Sequence, residues 1–145
     1  PTMAVNKLLV AFDESEGADR ALAMAGQPGC SESRAHVDVV YVVPIPLLDE
    51  TQMANFKDIL DMMISDGEDL LAEAEQKMGE DVAARTDSLL LTGTNPATEI
   101  VKLIGQRDYD LLIVGNRGLS GLKEYMGSVS HKLLHASPIP VLIAK

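Results

Sequence analysis

Two glycines and a glycine–serine pair form the pattern in this sequence that is best suited to chemistry. Gly115 and Gly118 directly follow an apolar stretch, and Gly127 and Ser128 come after eight further residues. Glycine lets backbone N–H groups approach an anion without a clash from a Cβ atom, and the N–H groups that open a helix attract phosphate. Side chains that can add charge or hydroxyl donors are Arg117, Ser128 and Ser130. The spacing is typical of a phosphate cradle, or of a tight loop and helix start that hold no ligand.

Five short apolar segments are predicted to be strands that position this loop. They cover residues 7–13, 36–43, 88–92, 110–114 and 140–144. Most are nearly continuous apolar runs, which is typical of parallel strands that are covered on both faces.

Helical patterns lie between the predicted strands. Ser15 is a candidate N-cap for a first helix with Leu22 on its inner face, and Asp49 and Gln52 have the spacing of a capping box. The capping box opens a long amphipathic helix, which we expect to loosen near residues 65–67. Its predicted inner face is Met53, Phe56, Leu60, Met63, Gly67, Leu70, Ala74 and Met78.

The last two helices are predicted from their first residues. Asn95 and Pro96 are typical of an N-cap followed by a first-turn proline, with Ile100 among the residues that face inward. The final helix begins near Gly127 and ends before Pro138.

The alternation of strands and helices predicts an α/β fold with one doubly wound, five-stranded parallel sheet. We expect the strand order 3-2-1-4-5, helices on both faces, and a single domain over residues 1–145. A ligand of such a fold binds beyond the carboxyl ends of the strands, where the strand order reverses. The glycine-rich loop follows the fourth strand and therefore lies at that edge.

Composition excludes several classes of partner. The chain has 12 Lys and Arg against 22 Asp and Glu, a formal net charge of −10. Such a charge repels polyanions, so we expect no nucleic-acid and no anionic-membrane partner. The longest apolar run is shorter than a membrane-spanning helix needs, and Cys30 is a single cysteine. With no signal peptide recognised at the start of the sequence, we expect a cytoplasmic protein.

Other nucleotide and catalytic motifs are missing from the sequence. No Gly-Lys-Ser or Gly-Lys-Thr of a phosphate-binding P-loop occurs, and residues 13–17 after the first strand hold a single glycine rather than a dinucleotide fingerprint. His131 and His135 have the i, i+4 spacing of a metal clamp, but no third ligand is evident beside them. We interpret them as packed or solvent-facing residues.

The motifs resemble those of the universal stress protein family. Nucleotide-binding members carry Gly, two residues, Gly, nine residues and then Gly-Ser or Gly-Thr, a pattern approached here by Gly115, Gly118 and Gly127. The first strand, the turn at 92–97 and the closing Pro-Ile-Pro-Val-Leu-Ile at 138–143 also match, so the resemblance covers nearly the whole chain.

The resemblance implies a site for an adenine nucleotide, namely ATP, with AMP and ADP as alternatives. By position, Ala11, Phe12 and Asp13 would flank the adenosine, and Val42 would meet the adenine through its backbone. Asp13 would lie near the ribose or a bound cation. Mg²⁺ or Mn²⁺ would accompany a triphosphate, because a hard dication neutralises phosphate oxygens.

The resemblance also implies the path of the ribose and phosphates. Val114, Gly115 and Gly118 would line that path. By position, Gly127, Ser128 and Val129 would hold phosphates at the helix start. Independently of the resemblance, Arg117 can add charge there and Ser130 a hydroxyl donor. The family commonly pairs its fifth strands, so the resemblance further implies a homodimer through residues 141–144.

The loop departs from the family pattern in length. Eight residues, not nine, separate Gly118 from Gly127. One missing residue can tilt the amides of Gly127 and Ser128 away from the phosphates, or it can be absorbed at the apex around 120–121. We expect an ATP-binding stress-response regulator or tolerance factor. The alternatives are a dimeric interaction module of the same family that does not bind ATP, and a slow ATPase.

Overall fold

A computed structural model describes residues 5–12, 22–23, 35–115 and 128–144. The strands are β1 (Lys7–Ala11), β2 (His36–Pro44), β3 (Thr86–Gly93), β4 (Leu111–Gly115) and β5 (Val141–Ala144). The helices are α1 (Glu50–Lys77), α2 (Glu80–Ala83), α3 (Pro96–Gln106) and α4 (Ser128–Ala136). The predicted helix after β1 lies outside the described residues, apart from residues 22 and 23, which are helical.

The five strands form one parallel sheet with the order β3-β2-β1-β4-β5, which confirms the predicted fold. Successive side chains of a strand point to opposite faces. In β1, Leu8 and Val10 pack with α1 and Leu22 on one face. Leu9 packs with α3 and α4 on the other face. Both faces of the sheet are therefore covered, which explains the continuous apolar runs.

Helix α1 starts at the predicted capping box and runs unbroken for 28 residues. The Asp49 carboxylate accepts from the Gln52 backbone N–H at 2.7 Å, and the Gln52 side chain accepts in return from the Asp49 N–H at 3.0 Å. The expected loosening at 65–67 is wrong. The helix instead packs tightly against the sheet at Gly67, because a Cβ atom there would lie 2.8 Å from Leu90 Cδ1 and 3.1 Å from the Tyr41 ring.

The predicted inner face of α1 is buried only in its second half. At 1.5 Å per residue the helix is about 42 Å long, whereas nine residues of β2 span about 30 Å. Gly67, Leu71 and Ala74 are buried against the sheet. The excess length lies in the first half, where Met53 of the predicted face is 37% exposed and Phe56 is only half-buried.

Each strand differs from its predicted range by one or two residues at one or both ends, and the starts of β3 and β4 have a clear physical reason. Strand β3 begins at Thr86, two residues before the predicted start, because parallel pairing with β2 continues into the polar residues Thr86 and Asp87. Strand β4 begins at Leu111 rather than Asp110. The Asp110 carboxylate accepts hydrogen bonds from the backbone N–H groups of Asn6 and Lys7, at 2.9 and 3.0 Å, and so holds the start of β1. Among the described helices, none has the length and apolar character needed to cross a membrane.

Candidate functional site

A cavity of about 220 Å³ opens at the carboxyl edge of the sheet. It lies between the ends of β1, β2 and β4 on one side and helices α3 and α4 on the other. The strand order reverses between β1 and β4, and this switch point is where doubly wound sheets bind ligands. The position of the cavity therefore agrees with the position expected from the predicted topology.

Seven residues expected from the sequence line this cavity together. They come from four separate segments of the chain, which the fold alone brings to one place. They are Ala11, Phe12, Val42, Val114, Gly115, Val129 and Ser130. Phe12 and Val42 are also buried, and the Phe12 backbone N–H donates to the Val40 carbonyl oxygen at 2.8 Å. The end of β1 is thus fixed against β2 at the cavity wall.

Five further lining residues were not assigned to the site from the sequence. They are Tyr41, Pro44, Pro96, Ile100 and Leu133. Ile100 and Leu133 are buried core residues whose side chains also reach the cavity. Apolar periodicity indicates that such residues face inward, but it does not distinguish a residue at a cavity wall from one in solid core.

Helix α4 directs its first turn at the cavity. Val129 and Ser130, its second and third residues, both line the cavity. The first four N–H groups of an α-helix have no partner within the helix, so the start of α4 offers donors and a positive dipole end there. The Ser130 hydroxyl donates to the Gly115 carbonyl oxygen at 2.9 Å. This bond ties the helix start to the end of β4.

The remaining predicted site residues lie outside the part of the chain that is described. They are Asp13, Arg117, Gly118 and Gly127. Ser128 is described as the first residue of α4, but only through its backbone. The described lining is consequently apolar, with backbone groups and the Ser130 hydroxyl as its main polar atoms.

A second, wider depression of about 460 Å³ lies between α3 and α4. Its wall includes Lys102, Lys132, His131 and His135. The two imidazole rings meet edge to face with their centroids 4.6 Å apart, and both histidines are exposed. The histidine pair therefore faces solvent, which is one of the two interpretations made from the sequence, and it lines this depression rather than the cavity.

A sequence model of the universal stress protein family matches residues 4–145. The chain belongs to the universal stress protein family. Universal stress protein YxiE from Bacillus subtilis is 31% identical over 149 residues, covering 97% of this chain and 99% of its own length. A universal stress protein from Thermus aquaticus is 33% identical over 143 residues, which cover 95% of this chain and 97% of the relative.

Solved universal stress protein structures share the fold. UspA from Lactobacillus plantarum aligns with a TM-score of 0.83 at 19% identity, over 99% of this chain and 100% of that one. A universal stress protein in complex with cAMP aligns with a TM-score of 0.66 at 26% identity, over 97% of both chains. A universal stress protein family protein from Arabidopsis thaliana with AMP bound aligns with a TM-score of 0.69 at 20% identity, over 97% of this chain and 91% of that one.

Proposed function

We propose that this universal stress protein binds an adenine nucleotide, ATP in the first place, in the cavity at the switch point. It would act as a stress-response regulator or tolerance factor in the cytoplasm, where adenine nucleotides are abundant. The observation that carries the proposal is that the first turn of α4 and the ends of three strands converge on one cavity. Relatives with AMP and cAMP bound support the choice of ligand class.

The apolar part of the cavity suits a purine base. Ala11 and Phe12 end one strand, Val42 lies near the end of its neighbour, and Ile100 covers them from α3. Sites that enclose a whole small ligand are typically about 300–1,000 Å³, so a cavity of about 220 Å³ suits the base and part of the ribose. In the proposal, Val42 meets the adenine through its backbone, and the phosphates lie outside the apolar part.

The start of α4 suits the phosphates. Val114 and Gly115 lead from the apolar part towards the helix, where the N–H groups of Ser128 and Val129 have no acceptor within the helix itself. An anion at a helix N-terminus is stabilised both by hydrogen bonds and by the dipole. Because the Ser130 hydroxyl donates to Gly115, we propose that Ser130 positions these amides as well as lining the site.

A cation and the loop residues complete the proposal. The named lining residues of the cavity include no carboxylate, so Mg²⁺ or Mn²⁺ would be held by the nucleotide phosphates and by Asp13. Such a cation would neutralise phosphate charge. Arg117, Gly118 and Gly127 stay in the proposal as phosphate contacts on the strength of their spacing in the sequence.

A charge reversal on α4 tests the phosphate position. Val129→Asp places a carboxylate on the cavity side of the first turn, where an acidic side chain also stabilises the helix. At about 6 Å from a phosphate, one added charge costs about 1–3 kcal/mol, or roughly 5- to 150-fold in ATP affinity. The matched control is His131→Asp, which adds the same charge in the same turn but at the depression between α3 and α4.

Calorimetric titration with ATP distinguishes the outcomes. The proposal expects Val129→Asp to weaken binding by at least about fivefold, while His131→Asp retains most of the affinity. Equal losses in both variants would indicate a general charge effect. Unchanged binding in Val129→Asp would remove the phosphates from the start of α4 and contradict the proposal.

The short loop favours a second candidate function, a dimeric interaction module that does not bind ATP. Strand β5 lies at the edge of the sheet and, among the described residues, pairs with β4 alone. An open edge invites pairing with another chain, so we propose a homodimer through β5 under either function. Inserting one apolar residue between Met126 and Gly127 should create ATP binding if the second candidate is right. Micromolar binding by the unmodified protein would reject it.

A slow ATPase is the remaining candidate. It would need a group that activates water, and the sequence offers Asp13 and His131 as candidates without positioning either of them. Phosphate release that Asp13→Asn abolishes would support hydrolysis, whereas a rate that the substitution leaves unchanged would indicate a contaminating activity.

A further inference from the structure

Three possible metal ligands converge at the amino-terminal end of the sheet, opposite to the nucleotide cavity. His36 and Asp38 lie two residues apart in β2 and so share one face. Asp87 in β3 is the register partner of Asp38. The His36 Nε2 atom lies 2.8 Å from Asp38 Oδ1 and 3.1 Å from Asp87 Oδ2, and each of the three side chains offers a ligand atom within 4.8 Å of the other two.

A single imidazole nitrogen cannot satisfy both carboxylates. Nε2 carries at most one hydrogen atom, so the two contacts of His36 share one donor. Like charges that lie directly opposite each other on neighbouring strands destabilise a sheet, and Asp38 and Asp87 are such a pair. A divalent cation in place of the shared proton would attract both carboxylates and accept the nitrogen lone pair.

Asp38 is held ready to act as a ligand by groups from another part of the chain. It is buried, with 1% exposure, and its Oδ2 atom accepts from the Tyr109 hydroxyl at 2.5 Å and from the Arg107 guanidinium at 3.2 Å. Outer hydrogen bonds of this kind orient metal-binding carboxylates. They leave Oδ1 directed at His36.

The distances and exposure also suit a tetrahedral metal. Ligand atoms at 2.0–2.1 Å from Zn²⁺ are about 3.3 Å apart in a tetrahedron, close to the two contacts of Nε2. The His36 and Asp87 side chains are 40% and 71% exposed, so they can adjust around the anchored Asp38. Their exposure also leaves a fourth position open to water.

We propose that His36, Asp38 and Asp87 form a binding site for a divalent transition metal of the Zn²⁺ type. Imidazole is a ligand of Zn²⁺ and its neighbours in the series. Ca²⁺ takes six to eight oxygen ligands, and Mg²⁺ keeps several waters with one or two carboxylates, so neither matches this set. The site is independent of the nucleotide proposal, because it lies at the other end of the strands.

The test is Zn²⁺ titration of the untagged protein in competition with a chromophoric chelator. Asp87→Asn and His36→Gln each remove one ligand from an accessible position, and we expect each to weaken binding by at least about tenfold. The matched control is His135→Gln, which alters the histidine pair on α4 and should leave the affinity within about twofold. Circular dichroism of each variant verifies the fold.

Visible absorption of bound Co²⁺ provides a second readout. The proposal expects an absorption typical of tetrahedral coordination that is lost in His36→Gln and kept in His135→Gln. No saturable Zn²⁺ binding by the unmodified protein would overturn the proposal. So would binding that survives both ligand variants, or binding that only His135→Gln removes.

Discussion

Replacing Tyr109 by Phe removes one hydrogen bond from the buried Asp38 carboxylate and leaves the ring in place. Tyr109 is 5% exposed and packs with the core on the α3 side of the sheet. Its hydroxyl donates to Asp38 Oδ2 at 2.5 Å, and the Lys7 ammonium lies 4.9 Å from its ring centroid. Because Phe keeps the ring and the cation–π contact, the substitution isolates the contribution of the hydroxyl.

The expected loss of stability follows from the charge on the acceptor. Hydrogen bonds to charged groups contribute about 1.5–3 kcal/mol, and Arg107 at 3.2 Å remains to stabilise the carboxylate. We expect Tyr109→Phe to lower the free energy of unfolding by about 1.5–3 kcal/mol, or Tm by about 3–12 °C for a chain of this length. Urea denaturation measures the change, and the m-value should stay constant.

A double-mutant cycle with Asp38→Asn assigns the loss to this pair. The two substitutions should be non-additive, because Asp38→Asn removes the acceptor charge that strengthens the bond from the Tyr109 hydroxyl. A loss below about 0.5 kcal/mol for Tyr109→Phe, or additive effects in the cycle, would refute the reasoning that this hydroxyl stabilises the buried carboxylate.

Three further predictions concern pH and packing. The pKa of Tyr109 is raised in the folded protein, so as pH rises this tyrosine ionises first in the unfolded chain. The free energy of unfolding should therefore fall as pH rises above about 10. Urea denaturation at increasing pH should show a smaller fall in Tyr109→Phe than in the unmodified protein. Leu133→Ala should lower the free energy of unfolding by about 2–5 kcal/mol, because Leu133 is fully buried. Leu134 is 43% exposed, so Leu134→Ala should change it little. Equal losses in urea denaturation would contradict the packing of α4. Gly105→Ala, where an added Cβ meets nothing within 4 Å, should stabilise α3 by up to about 1 kcal/mol. Gly67→Ala should fall short of that gain by at least about 1 kcal/mol in the same assay, because its Cβ would meet β2 and β3.

The sheet could be predicted from the sequence because its strands are apolar on both faces. The run from Val37 to Val43 is interrupted only by Asp38 and Tyr41, and it indicates a central parallel strand without any tertiary information. The start of β3 could not be found in the same way, because Thr86 and Asp87 are polar and pair only through their backbones. The glycine at Gly67 led to the wrong prediction that α1 loosens there. Helix propensity counts glycine as unfavourable and carries no information on how closely a helix approaches the sheet.

The two candidate sites differ in how far the sequence could indicate them. Spacing and topology placed Gly115 at the carboxyl edge, the family resemblance added Val129, and both residues line the cavity. The cluster of His36, Asp38 and Asp87 was missed, because its residues are polar positions in strands that were interpreted only for their apolar content. Two polar residues at i and i+2 in an otherwise apolar strand were the available signal. The pairing with Asp87 depends on a strand register that the sequence alone did not provide.

The central claim is best tested by an NMR titration of the isotopically labelled protein with ATP and Mg²⁺. The account predicts saturable shifts of the backbone amide signals of Phe12, Val42, Gly115 and Val129, which line the cavity. Amide signals around Asp38, at the other end of the strands, should remain in place. Absence of saturable shifts at millimolar ATP, or shifts confined to the depression between α3 and α4, would contradict nucleotide binding at the switch point.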